Sequence, residues 1–175
     1  RYRIYPNKKQ QELIHKTFGC VRYVYNYFLD RRIKTYEETN KGMTFNQTSK
    51  ELTSLKQELE WLKEPDKCSL QNSLKDLDSA YKNFFKNKKG FPKFKSKKDR
   101  HKTYRSNFSN NNIKFLGKHI QLPKLGSIKI RDKMIPEGRI LNATISQEPN
   151  GHYYIGLCCT DVYFEELPKT NQNIG

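Results

Sequence analysis

The opening residues RYRIYP alternate charged and apolar side chains and stop at a proline, the pattern of a short strand. A lone strand cannot stand by itself, yet the next strand signals come only beyond Gly90. Everything between is helical in period. The first strand must therefore find its partners late in the chain, and the helices become an insertion between the first and second strands of a small barrel.

Asn7 can cap the first helix, in which Ile14, Phe18, Val21, Tyr25 and Phe28 recur at spacings of four and three up to about Glu38. Gly19 would weaken this helix unless another backbone packs closely there. TNKGMT (39–44) reads as a turn, and a second helix around Gln47–Leu59 places Leu52, Leu55 and Leu59 on one face. WLKEPDK breaks it, and Asp66 or Ser69 can start a third helix carrying Leu70, Leu74, Leu77, Tyr81 and Phe84. After Gly90 come short strands separated by Gly117, Pro123 and Gly126, then two longer strands around Asn150-Gly151, a hairpin signal. The expected class is α+β.

Charge is the dominant fact of composition. The 175 residues carry 34 Lys and Arg against 18 Asp and Glu, a net charge of +16, and mean hydropathy is −0.97. A field of that size suits a polyanion, with nucleic acid ahead of an anionic membrane surface. No apolar run reaches transmembrane length and no signal-peptide core is visible, which points to a soluble, cytoplasmic protein. With aromatics at 13%, the chain is too ring-rich for disorder.

The charge concentrates in KNFFKNKKGFPKFKSKKD (82–99), where Phe84, Phe85, Phe91 and Phe94 are threaded among lysines. Such a run repels itself unless a polyanion neutralises it, so Lys93, Lys95, Lys97, Lys98 and Arg100 are phosphate-binding candidates, with Arg105 beyond them. Phe84 and Phe85 read as core. Phe91 and Phe94 either pin the extended exit against the protein or stack on unpaired bases; pinning is favoured, because stacking rings normally stand on exposed sheet faces. In TYRSNFSNNNIKF (103–115), Asn and Ser can bond base edges, although asparagine-rich turns before strands are common.

No catalytic constellation is legible. His15, His101, His119 and His152 are dispersed, no Walker loop or HExxH occurs, and Asp76 and Asp78 do not share a helical face. Cys20, Cys68, Cys158 and Cys159 form no CxxC pair and read as reduced small hydrophobes. A first residue Arg and a last residue Gly in mid-stride suggest that both ends are cut.

RIYPNKKQQELIHKTFGCVRYVYNYFLDRR, TFNQTSKELTSLK, SLQNSLKDLDSAYKNFFK, GFPKFKSKK, YRSNF with NNNIKF, IQLPKLGSIKIR, GRILNATIS and GHYYIGL together resemble the N-terminal half of TnpB, the OrfB-type proteins of insertion-sequence transposons. The resemblance covers essentially the whole chain in collinear order, and GFPKFK and YPN…Q…L…G…R…YN are its most distinctive blocks. It implies an RNA-guided DNA endonuclease, related to the ancestors of type V CRISPR effectors. The implied fold is a split OB-like wedge barrel (1–6 plus 92–175) with an inserted three-helix recognition domain (7–91). The RuvC-like nuclease and zinc module would start after 175, so Mg2+ and Zn2+ are expected only there and no catalytic or metal residue in this chain. The implied partners are a guide RNA and double-stranded target DNA. Matched positions make Phe45, Ser49, Lys67, Gln71, Ser109 and Asn110 candidates for reading a short target-adjacent motif; Phe45 stands where the family also has tyrosine. The alternatives are a stand-alone helix-turn-helix DNA-binding protein, for which 39–46 is too long a turn, or a basic RNA-binding protein without nuclease function.

Overall fold

A computed structural model describes residues 1–131 and 137–161. The order is β1 (Tyr2–Tyr5), α1 (Lys8–Thr39), α2 (Phe45–Glu58), a 3-10 turn (Glu60–Lys63), α3 (Lys67–Asn87), β2 (Lys102–Asn107), β3 (Lys114–Leu116), β4 (His119–Leu122), β5 (Gly126–Ile130), β6 (Arg139–Gln147) and β7 (Tyr153–Thr160). This is the α+β class, with strand, helices and strands in the expected order.

The seven described strands form one antiparallel sheet in the order β2-β6-β7-β1-β5-β4-β3. β1 lies in its middle, pairing Ile4 with Ile130 of β5 and Tyr2 with Ile155 of β7. The early strand thus finds late partners, as its isolation requires. The sheet is open among the described residues, with β2 and β3 as its edges, whereas a barrel was expected. Asn150-Gly151 makes the β6–β7 turn, in which the Gly151 N–H donates to the Glu148 carbonyl and Gly151 takes a φ of 80°. The strand at 102–107 was not foreseen. Its inward residues are Tyr104 and Ser106, so it lacks an apolar alternation.

α1 begins with reciprocal bonds between Asn7 and Gln10, a capping box. The Gln10 side chain also donates to the carbonyls of Leu125 and Ser127, tying the first turn to β5. Ile14 and Phe18 then enter the sheet core with Ile4, Ile120, Ile128, Ile145 and Ile155. Farther along, Val24, Phe28 and Leu29 enter a second core with Leu52, Leu62, Leu70, Leu74 and Leu77. Val21 packs against both. The segment after α2, expected only to break the helix, winds into the 3-10 turn and buries Leu62. α3 ends at Asn87 with Lys88 in the left-handed region (φ 49°), three residues short of the Gly90 after which the strand signals begin.

A polar seam joins α3 to β2. Asn72, only 3% exposed, donates to the Arg105 carbonyl at 2.9 Å and to Asn107 Oδ1 at 3.1 Å. Asp66 accepts from Ser106 Oγ at 2.7 Å, and Arg105 pairs with Asp76 at 2.8 Å. Ser73 Oγ donates to the Val21 carbonyl at 2.7 Å, fastening α3 to α1.

α1 runs unbroken through Gly19, and nothing among the described residues lies within 4 Å of where its Cβ would sit. Close backbone packing against this chain therefore does not explain the glycine. Gly19→Ala should raise stability by about 0.5–1 kcal/mol, read as a higher urea midpoint; a lower midpoint would show that the free space is illusory.

Candidate nucleic-acid interface

The basic segment leaves α3 and crosses α1 before entering β2. Pro92 is buried, and Asn26 in α1 grips Lys95 by its backbone: Asn26 Nδ2 donates to the Lys95 carbonyl at 2.9 Å, and Lys95 N–H donates to Asn26 Oδ1 at 2.8 Å. The Lys95 ammonium rests 4.3 Å from the centre of the Tyr25 ring. Desolvation holds its pKa below the ordinary lysine value, against the opposing pull of Asp76 and Asp99. Lys95 is thus a fastening as well as a charge.

The pinning assigned to Phe91 and Phe94 divides. Phe91 meets Tyr81 and Phe84 edge-on, at 5.6 and 5.3 Å between ring centres, while remaining 44% exposed. Phe94 is exposed and makes no ring contact among the described residues. Phe85, read as core, is 74% exposed. Asn26 is what the sequence reading missed; an asparagine inside a helix, away from any cap, was the available signal.

Beyond Lys95, Ser96 and Asp99 close a turn: the Ser96 N–H donates to Asp99 Oδ2 and the Lys98 N–H to Ser96 Oγ. Lys97, Lys98, Arg100 and Lys102 then line an open crevice of about 400 Å3 against the β6–β7 turn. Of its two acids, Asp99 accepts the Ser96 N–H, and Glu148 pairs with Arg1 and approaches His101 at 3.6 Å. The hydrogen bond from Arg1 holds the Glu148 carboxyl below its ordinary pKa. The crevice presents four cations to whatever enters. Lys93 is exposed on the same segment. Arg105 is committed elsewhere, to Asp76.

Ser49 of α2 and Gln71 of α3 meet: Ser49 Oγ donates to Gln71 Oε1 at 3.1 Å. Two candidates from separate helices thereby share one surface patch. Lys67, one turn before Gln71, is exposed at the start of α3. Phe45 opens α2 and is partly buried against the helical core. Ser109 and Asn110 lie in the exposed turn after β2, where Ser109 N–H donates to Asn112 Oδ1 and Asn110 takes a φ of 49°. That turn follows Asn107, which Asn72 holds against α3.

Among the described residues, no three of His, Cys, Asp and Glu are gathered where they could hold a metal ion, and no helix is long and apolar enough to cross a membrane. Cys20 is buried, and desolvation pushes its thiol up to about 11, which leaves it unreactive.

The Asn26 clamp yields a direct expectation. Asn26→Ala removes two hydrogen bonds, roughly 1–2 kcal/mol of local anchoring. Trypsin should then cut after the lysines between 93 and 98 several-fold faster than in the parent; an unchanged cleavage rate would mean that Pro92 and Lys95 hold the segment alone.

Residues 1–41 match the OrfB_IS605 helix-turn-helix domain. In this chain those residues form β1 and the single unbroken α1, with no second helix after a turn. A Streptomyces pristinaespiralis protein named "Putative RNA-guided DNA endonuclease" is 29% identical over 180 residues, covering 100% of this chain and 44% of its own length. Escherichia coli (strain K12) "Putative RNA-guided DNA endonuclease InsQ" is 32% identical over 159 residues, covering 90% of this chain and 39% of its own length. The Salmonella dublin "Virulence protein VsdF" is 33% identical over 105 residues, 54% of this chain and 88% of its own length. The chain spans less than half the length of the first two relatives. The matched domain and these two collinear relatives agree with the sequence motifs, and the chain belongs to the TnpB family, the OrfB-type proteins of insertion-sequence transposons.

Proposed function

We propose that this chain is the nucleic-acid-binding part of an RNA-guided DNA endonuclease. In this reading it grips the scaffold of a guide RNA and reads a short motif beside the DNA target. The strands would form the wedge, a split OB-like barrel of 1–6 and 92–175, and 7–91 the inserted recognition domain. Cleavage, with its Mg2+, and the zinc module would belong to other parts of the parent protein.

The Ser49–Gln71 bond is the observation that carries the motif-reading half. With Oε1 held by Ser49, the Gln71 amide is oriented, and its Nε2 has no partner among the described residues. An oriented amide beside an exposed lysine on a helix face suits base-edge recognition, Gln pairing with adenine and Lys reaching guanine acceptors or a phosphate. In the guide-bound full-length protein, Gln71→Ala should cost about 1–3 kcal/mol of discrimination at one position of the motif while guide affinity stays as it was. Retained motif preference would place the wrong face against DNA.

The lysine segment carries the RNA half. Lys93, Lys97 and Lys98 are exposed and free to meet phosphate in this reading, whereas Lys95, also exposed, has its ammonium over Tyr25. Replacing Lys93, Lys97 and Lys98 by Ala should lower the slope of log K against log salt for RNA by about 2–3, at roughly 0.7–0.9 per contact. Lys95→Ala should act mainly on thermal stability. An unchanged slope in the triple variant would reduce those lysines to a solvated face.

A further inference from the structure

A broad cleft lies between the C-terminal halves of α1 and α3, beside the start of the basic segment. It measures about 630 Å3, within the range of small-molecule sites, and is walled by Tyr36, Met43, Tyr81, Phe84, Phe85 and Phe91. Tyr81 and Phe85 lie nearly parallel, 22° apart at 6.3 Å, and Phe84 sets its edge against Phe85 at 5.0 Å. Phe85 is 74% exposed and Tyr36 58% exposed. So much ring surface in one cleft asks for an occupant.

Arg32, 6% exposed, also lines the cleft. Its Nη2 donates to Asp78 Oδ1 at 3.2 Å, and its guanidinium stands 5.1 Å from the Tyr81 ring centre. Its Nε is buried with no hydrogen-bond partner among the described residues, a donor left unanswered that costs stability until an acceptor arrives. Partial burial alone would raise the pKa of Asp78, but bonds from Lys82 and Arg32 outweigh it and hold the carboxyl below its usual range. Asp78 is thereby neutralised, leaving Glu37 as the other acid of the lining. Lys86 stands on the rim, and Lys88 and Lys89 follow directly.

Aromatic faces, an unanswered donor and a cationic rim fit a nucleotide. A second copy of this chain would bring another +16 against the rim. A duplex base would have to be unpaired and unstacked first, at a few kcal/mol, whereas RNA loops offer bases already splayed out. We propose that this cleft takes an unpaired nucleotide of an RNA loop, with its base stacked on Phe85 and Phe91 and its phosphates met by Lys86, Lys88 and Lys89. The proposal rests on the reading that this chain binds RNA.

The test uses the 175-residue chain and an RNA hairpin with 2-aminopurine in its loop, beside a fully paired RNA of equal length. Saturable quenching of the loop fluorophore is expected. Phe85→Ala should weaken loop binding about 10-fold, the scale of one stacking contact. Its thermal midpoint and salt slope should match the parent, because the ring is exposed and uncharged; paired-RNA affinity should not change, and Phe85→Tyr should restore the loop preference. Loop RNA bound equally by parent and Phe85→Ala would overturn the cleft assignment while leaving RNA binding by the lysines intact. Concentration-dependent dimers lost on Phe85→Ala, with RNA binding unaltered, would assign the cleft to a second copy instead. No binding of either RNA would overturn both readings.

Discussion

The architecture depends on one helix having to bury two different stripes. α1 offers Ile14 and Phe18 to the sheet and Val24, Phe28 and Leu29 to the helices, with Val21 at the changeover. At 1.5 Å per residue its 32 residues span roughly 48 Å, enough to serve two cores in series. Neither core closes without it. The strands would lose the lid that Gln10 ties down, and α2 and α3 would lose the surface on which their leucines converge.

That shared helix also places the surface chemistry. The lysine segment has no secondary structure of its own and takes its path from Asn26 and Tyr25, both on α1. The aromatic cleft has α1 as one wall and α3 as the other. The Ser49–Gln71 patch depends on α2 and α3 sharing the core that α1 completes. Charge and ring surface are therefore arranged around a helix that contributes few of the candidate binding residues itself.

Apolar period made much of this legible. The three helical stripes, the hairpin at Asn150-Gly151 and the late pairing of the first strand follow from spacing and from the impossibility of a solitary strand. β2 escaped because its inward side carries Ser106 beside Tyr104. The small barrel was inferred from the order of elements and its OB-like type from family resemblance, and the described sheet keeps two edges; hydrophobic alternation reports which face of a strand is buried, not which edges meet. In the candidate site the lysines were visible as charge. Asn72 and Arg32 were not, because a buried polar residue declares itself only by the partner it finds across the fold, and Asn26 gave no more than its odd place inside a helix. Phe85 was misjudged for a related reason: helical spacing placed it beside the stripe and could not show that the stripe ends before it.

The central position of β1 has a consequence for how the chain is made. Tyr2 pairs with Ile155, and Ile4 with Ile130, so the first strand leaves the ribosome long before its partners exist. At 5–20 residues per second the wait is on the order of ten seconds. The helices have no such delay, since α1, α2 and α3 bury their leucines against one another within a single stretch of chain. Synthesis thus allows the helices to pack while the first strand is still unpaired, with Ile14 and Phe18 bare on α1. The middle of the sheet cannot close until β5 and β7 have been made.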